Sequence, residues 1–203
     1  MKKLPKVNIT YKVDKFDEQK ISILNMIYIF FICSFLGWMF EVIFCYFKFG
    51  YLMDRGIVYG PCCSIYGIGG IILYLLFYDV KNVKNNIPYT FITSAIILGS
   101  FELLSGLILK YVFKIEMWNY HGEFLEILNY TTVPILIGWG ILGTIYIYLI
   151  QPLLFKVISL IPIQFIKRLA IILVCLYFVD FGISAFHINF NPEILYKMVN
   201  PNI

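Results

Sequence analysis

ISILNMIYIFFICSFLGWMFEVIFCYF fills residues 21–47, and the reading of this stretch decides the fold. It carries one acid, Glu41, and no base. A run of this kind is too poor in charge for a surface helix and too long for a core strand, whereas about 20 apolar residues suffice to cross a bilayer as a helix. Four further blocks of the same character lie at about 62–78, 88–109, 131–150 and 169–186. The pattern predicts an all-α polytopic transmembrane helical bundle of about five spans, a single domain over 21–187. It is flanked by a basic tail at 1–20 and a short tail at 188–203, with an amphipathic connector at 152–166. The 62–78 block is short and glycine-rich, and reads either as a span or as a re-entrant segment.

Composition points the same way. The chain is 61% apolar and 14% charged, with a mean hydropathy of +0.83, where soluble domains run at roughly 45–50% apolar and about 25% charged. A water-soluble monomer is excluded. The net charge of +4 does not indicate nucleic acid, because six of the sixteen basic residues sit in the first twenty positions beside Asp14, Asp17 and Glu18. Such a tail suits anionic lipid headgroups. The five cysteines (Cys33, Cys45, Cys62, Cys63, Cys175) are odd in number and include no CxxC, so neither a disulfide framework nor a metal site is expected. No cofactor is implied, and no cleavable signal peptide is read at the start.

Basic residues also orient the chain. Eleven lie on one side of the five-span layout (six in the tail, two in the 79–87 loop, three in 151–168), against five in the other three segments. The N-terminus is therefore expected in the cytoplasm of a cell-membrane protein, with the C-terminus outside.

Three acids fall inside predicted spans: Glu41, Glu102 and Asp180. An ionised residue at a helix centre costs roughly 2.5–3.5 kcal/mol on insertion scales, so something must offset it. Counting helical rise places all three ~7–12 Å below the same outer surface, each on a small or polar stripe of its helix. The reading from these residues is a polar, outward-opening cavity, with Arg55 as counter-ion and Asp54 beside it. The plainer alternative is a buried, hydrogen-bonded polar lock with no ligand. Residues 50–70, GYLMDRGIVYGPCCSIYGIGG, hold six of the fourteen glycines and form the main irregular, closely packed region.

Other patterns carry less. Asp180, Ser184 and His187 form a polar helix face, not a catalytic triad, whose members come from separate elements. GIGG at 67–70 lacks the strand and spacing of a dinucleotide fingerprint, and no Walker A sequence is present. No catalytic motif is recognisable.

The run FLGWMFEVIF at 35–44, then DRGIVYGPCCSIYGIGG at 54–70, a glutamate in the third span and MWNY at 117–120 resemble the putative ABC-transporter type IV family of small bacterial membrane proteins. The resemblance covers residues 28–152 and leaves the fifth span outside. It implies Gly37, Trp38, Glu41, Arg55, Gly56, Gly60, Pro61, Tyr66, Gly67, Glu102, Trp118 and Tyr120 as characteristic positions. The sequence departs from the family pattern at Ser64 and across FLEILNYTTV at 124–133. Three functions stay open: a permease subunit for a small substrate or ion, working with a separate ATPase docked on the 152–166 connector; a membrane-embedded enzyme acting on a lipid-linked substrate; and a non-catalytic assembly subunit.

Overall fold

The computed structural model of the chain describes residues 22–50, 52, 56–77 and 86–190, without the side chains of Phe49 and of residues 187–190. The 1–20 tail, the Asp54–Arg55 pair and the chain from 191 onward lie outside the described residues.

Helix α1, Ile23–Phe49, ends where Gly50 adopts φ 82° and returns its N–H to the Tyr46 carbonyl, a left-handed stop that glycine makes at little cost. Helix α2 is Ser64–Phe77. Helix α3, Ile87–Tyr111, starts at Asn86, whose side chain accepts from the Tyr89 amide, with Pro88 in the first turn. Helix α4, Val133–Ile145, is capped in the same way by Thr132, with Pro134 in its first turn. Side-chain caps satisfy amides that a helix start leaves orphaned, and proline there loses no helical bond. A wide turn, Tyr146–Ile150, then leads without a break into α5, Gln151–Leu160, and α6 runs Ile163–Phe190. Two short antiparallel strands, β1 (Glu126–Ile127) and β2 (Thr131–Thr132), pair Glu126 with Thr132 and Ile127 with Thr131. The all-α expectation holds. Among the described residues, four helical stretches are long and apolar enough to cross a membrane: Ile23–Lys48, Ile87–Tyr111, Val133–Leu160 and Ile163–Phe186.

The second block is built differently. A helix of 14 residues is only ~21 Å long at about 1.5 Å per residue, short of a hydrocarbon core of roughly 30 Å. Its start is tied to the middle of α1, where the Cys63 amide donates to the Ser34 carbonyl at 3.0 Å. From there α2 descends antiparallel to α1: Gly67 lies against Ser34 and Phe30, and Gly70 against Cys33 and Ile29. The irregular run 56–63 thus lies toward the Phe49 end of α1, and α2 runs from there toward the Ile23 end.

Two sequence boundaries change. The connector expected at 152–166 is instead helical and continuous with the fourth span as far as Leu160. Pro152, which has no N–H to give and would crowd the preceding turn of an α-helix, follows the wide turn at 146–150, where the Gln151 amide reaches back to the Tyr146 carbonyl. The break comes at Ile161, extended at φ −100°, ψ 139° as a residue before proline prefers, and α6 starts six residues before the predicted 169. Residues 188–190, read as tail, belong to α6.

The helices form two close pairs, α1 with α2 and α3 with α4, and α6 lies along α1. Ile29, Leu73, Tyr74 and Leu98 are the buried centre between the pairs. At the Ile23 end of α1 the Tyr28 hydroxyl donates to the Ile166 carbonyl at 2.8 Å, joining α1 to the start of α6.

Candidate functional site

Two of the three acids in the apolar helices meet in one network in the half of the bundle toward the Phe49 end of α1. Gly37 has no side chain to obstruct the Tyr66 ring: a Cβ there would stand 2.2 Å from Tyr66 Cγ. With the ring flat on α1, the Tyr66 hydroxyl reaches Glu41 Oε1, one turn further along, at 2.6 Å. Across the pair interface, Glu102 on α3 accepts from Thr131 Oγ1 at 2.8 Å, Trp139 Nε1 at 3.1 Å and the Tyr120 hydroxyl at 3.3 Å. Glu102 is buried, as are Thr131 and Trp139. The rings of Tyr66 and Trp139 lie 5.0 Å apart, which joins the two halves.

Neutral donors therefore meet these carboxylates. Hydrogen bonds to a charged group contribute about 1.5–3 kcal/mol each, so three on Glu102 offset an insertion cost of the same order. Thr131 and Trp139 were not anticipated from the sequence. A tryptophan in mid-span is itself a signal, because a buried indole N–H seeks an acceptor.

Asp180 stands apart from this network. Its Oδ1 accepts from the Tyr59 amide at 3.0 Å and from Ser184 Oγ at 3.3 Å, and its Oδ2 accepts from the Gly60 amide at 2.8 Å. The irregular run 56–63 has no helical partners for its amides, and an unsatisfied amide at membrane depth costs several kcal/mol. Asp180 serves two of them. Gly60 is required by proximity, since a Cβ there would come within 2.9 Å of Asp180 Oδ2, and Gly56 by its φ of 122°. Pro61 is an exposed bend residue. One turn below Asp180, the Tyr177 hydroxyl pairs with Ser64 Oγ at 2.8 Å. Among the described residues, Glu41 and Glu102 belong to the network between the helix pairs, and Asp180 has its partners in α6 and the irregular run. Arg55 and Asp54 lie outside the described residues.

A folded cap covers the same end of the bundle between α3 and α4. Trp118 Nε1 donates to the Tyr130 carbonyl at 3.0 Å, which fixes Trp118 within the cap and away from the acids, while Tyr120 reaches down to Glu102. Glu116 is the cap's hub, accepting from Lys110 at 3.1 Å, Asn119 at 3.0 Å and the Tyr130 hydroxyl at 2.9 Å. Partial burial pushes the Glu116 carboxyl up, but bonds from Tyr130, Lys110 and Asn119, with the Lys110 charge, outweigh it and hold it below the ordinary carboxylate range. Lys48 at the end of α1 clips to Glu123 of the cap at 3.3 Å. Lys114, Leu125, Leu128 and Asn129 all have positive φ, a conformation that side chains other than glycine's resist and that surrounding bonds must impose. Trp38, the remaining aromatic of the FLGW run, stacks on Phe35.

Beneath Tyr66 and Trp139 lies a cavity of about 90 Å³ between α1, α2, α3 and α4, lined almost wholly by apolar atoms. Among the described residues, no cluster of His, Cys, Asp or Glu could hold a metal ion.

The family described as Putative ABC-transporter type IV matches residues 28–185 of this chain. The chain belongs to that family, a class of multi-pass membrane proteins with a transporter description. The match extends beyond the region read from sequence resemblance and takes in the fifth span with Asp180. No curated protein and no solved structure matches the chain.

Proposed function

We propose that this chain is the membrane subunit of a transport system, with its substrate route between the α1–α2 and α3–α4 pairs. The N-terminus faces the cytoplasm, as the distribution of basic residues favours. A small substrate or ion arrives from outside at the polar network of Glu41, Tyr66, Glu102 and Tyr120. One observation carries this reading: Tyr66 and Trp139 both line the cavity, and each is held by a carboxylate from a different helix pair. Neutralising or engaging either carboxylate therefore moves the roof of the cavity. The inner end of the fourth crossing, where Leu153, Val157 and Leu160 are exposed beside Lys156, is the docking place for a separate ATPase.

The test is a strain lacking the chain, complemented with wild type or Glu41→Gln at matched membrane abundance. Glutamine keeps an acceptor for Tyr66 and loses only the charge. If wild type alone restores the distribution of a solute between cells and medium, transport is supported. A change confined to membrane-lipid composition would support the enzyme instead, and no difference in either would leave the assembly role.

A further inference from the structure

The cap places leucines where its backbone suits glycine. Leu125 has φ 53° and Leu128 φ 51°, a left-handed conformation that glycine and asparagine adopt at little cost and that leucine resists. Neighbouring bonds hold it: the Leu125 carbonyl accepts from the Val133 amide at 3.2 Å, and the Ile127 carbonyl from the Tyr130 amide at 3.2 Å. Neither leucine is buried in return. Phe124, Leu125 and Leu128 are 74%, 53% and 66% exposed. What leucine adds at these two positions is apolar surface turned away from the protein, and backbone strain maintained in this way points to function. The two acids of the same turn are engaged elsewhere. Glu123 meets Lys48 of α1 at 3.3 Å, and Glu126 accepts from the Gly122 amide and lies 3.4 Å from His121 Nδ1.

The position of the turn decides what meets that surface. Val133, which bonds to Leu125, begins an exposed stripe that Ile137, Ile141, Ile145 and Leu149 continue along α4 and the wide turn. The chain is uncharged from Val133 to Phe155, 23 residues, which is ~34 Å of helix at about 1.5 Å per residue. A hydrocarbon layer of roughly 30 Å takes up nearly all of that length. Lipid therefore covers the stripe, and Val133 stands at the hydrocarbon edge. Leu125 extends the same stripe past the end of the helix.

We propose that the 124–128 turn is a membrane-inserted wedge, with Phe124, Leu125 and Leu128 seated among the glycerol and upper acyl segments of the lipids around α4. Apolar side chains on an interfacial element bury at this boundary. Lipid is the occupant because the surface continues one that lipid already covers. The wedge also leads inward: Ile127, beside Leu128, pairs with Thr131, whose hydroxyl donates to Glu102. The leaflet on the capped side thus positions a donor of the buried acid. The assignment stands whether or not the protein transports anything.

The experiment uses the full chain in phosphatidylcholine vesicles whose lipids carry bromine either near the glycerol end or near the methyl end of one acyl chain. A bimane fluorophore is attached through Phe124→Cys, Leu128→Cys, Ile141→Cys or His121→Cys, each in a background of Cys62→Ser, Cys63→Ser and Cys175→Ser. Ile141, midway along the stripe, is the lipid reference. His121, with its side chain 77% exposed, is the water reference. Bromolipid should quench bimane at 124 and 128 about threefold or more above 121, and iodide on both sides of the membrane should quench it about threefold less. Shallow bromine should act more strongly than deep bromine at 124 and 128. The reverse preference at 141 verifies that the background protein is folded and inserted. If 124 and 128 match 121 with both quenchers, the turn stands in water and the proposal is overturned. Shielding from both quenchers also overturns it, because a second copy of the chain would then be the cover.

Discussion

The Tyr66 ring lies in the space that Gly37 leaves on α1, and this contact sets the 2.6 Å bond from its hydroxyl to Glu41. Glycine and carboxylate sit one helical turn apart on the same face, so the first makes room for the ring and the second holds its tip. Gly37→Ala should cost about 2.5–6 kcal/mol, from overpacking of about 1–3 together with the displaced hydrogen bond of about 1.5–3. Tyr66→Phe, which removes only the hydroxyl, should cost less, about 1.5–3 kcal/mol. Thermal unfolding of the purified protein in one detergent gives the order; equal stabilities for Gly37→Ala and wild type would refute the arrangement.

Glu102→Gln should be more damaging than Glu41→Gln. Three donors converge on Glu102, and a glutamine amide turns its own N–H groups toward some of them. Leaving one buried donor unmet costs about 1–3 kcal/mol. Indole emission from Trp139 should also shift as its N–H loses its partner, with Trp38→Phe and Trp118→Phe in the background to isolate the signal.

Asp180 should govern access to the irregular run. Its two oxygens serve two different amides, so Asp180→Asn can satisfy only one. Labelling of Cys62 and Cys63 by a thiol reagent should be about tenfold faster in Asp180→Asn than in wild type. Unchanged rates would mean that the run holds its shape without the carboxylate.

Orientation can be read from the two ends of the bundle. His121 lies in the cap and Pro162 at the break between α5 and α6. In intact cells, an impermeant thiol label should reach His121→Cys and miss Pro162→Cys, in a background without other reactive cysteines. The opposite pattern would invert the cytoplasmic assignment of the N-terminus.

Acid should loosen the cap. The Glu116 carboxyl is held below its ordinary value of 4.5, so its contribution is fully present above pH 4.5 and is lost as pH falls through the lower folded-state value. Protease cleavage within 112–132 should accelerate on acidification below that point. Glu116→Gln should be cleaved faster at neutral pH and lose the acid dependence in this window.

Much of the bundle was legible because hydropathy reports how long an apolar block is, and four blocks became full-length helices. Path was less legible than length. Residues 56–63 run without helix where Asp180, more than a hundred residues away, accepts the amides of Tyr59 and Gly60, and no local pattern encodes that. Pro152 does not interrupt the helix, because the wide turn before it absorbs the missing N–H, and the break falls at Ile161, before Pro162. The acids were visible as costly residues and their partners were not. Hydroxyls and indoles occur throughout the chain, and only the fold aims Thr131, Tyr120 and Trp139 at Glu102. Thr131 lies in the 124–133 stretch that had stood out for departing from the family pattern.

The bond between Asp180 and the amides of Tyr59 and Gly60 also imposes an order on biosynthesis. When the second crossing leaves the ribosome, the acceptor for its exposed backbone has not been made, and more than a hundred further residues must be synthesised before it exists. Until α6 inserts, that half-crossing must shelter beside α1, stay at the membrane surface or borrow a partner from the insertion machinery. The last helix is thus the closing step of the second, and a chain truncated before residue 180 would carry all the other helices and still present an unfinished protein to quality control.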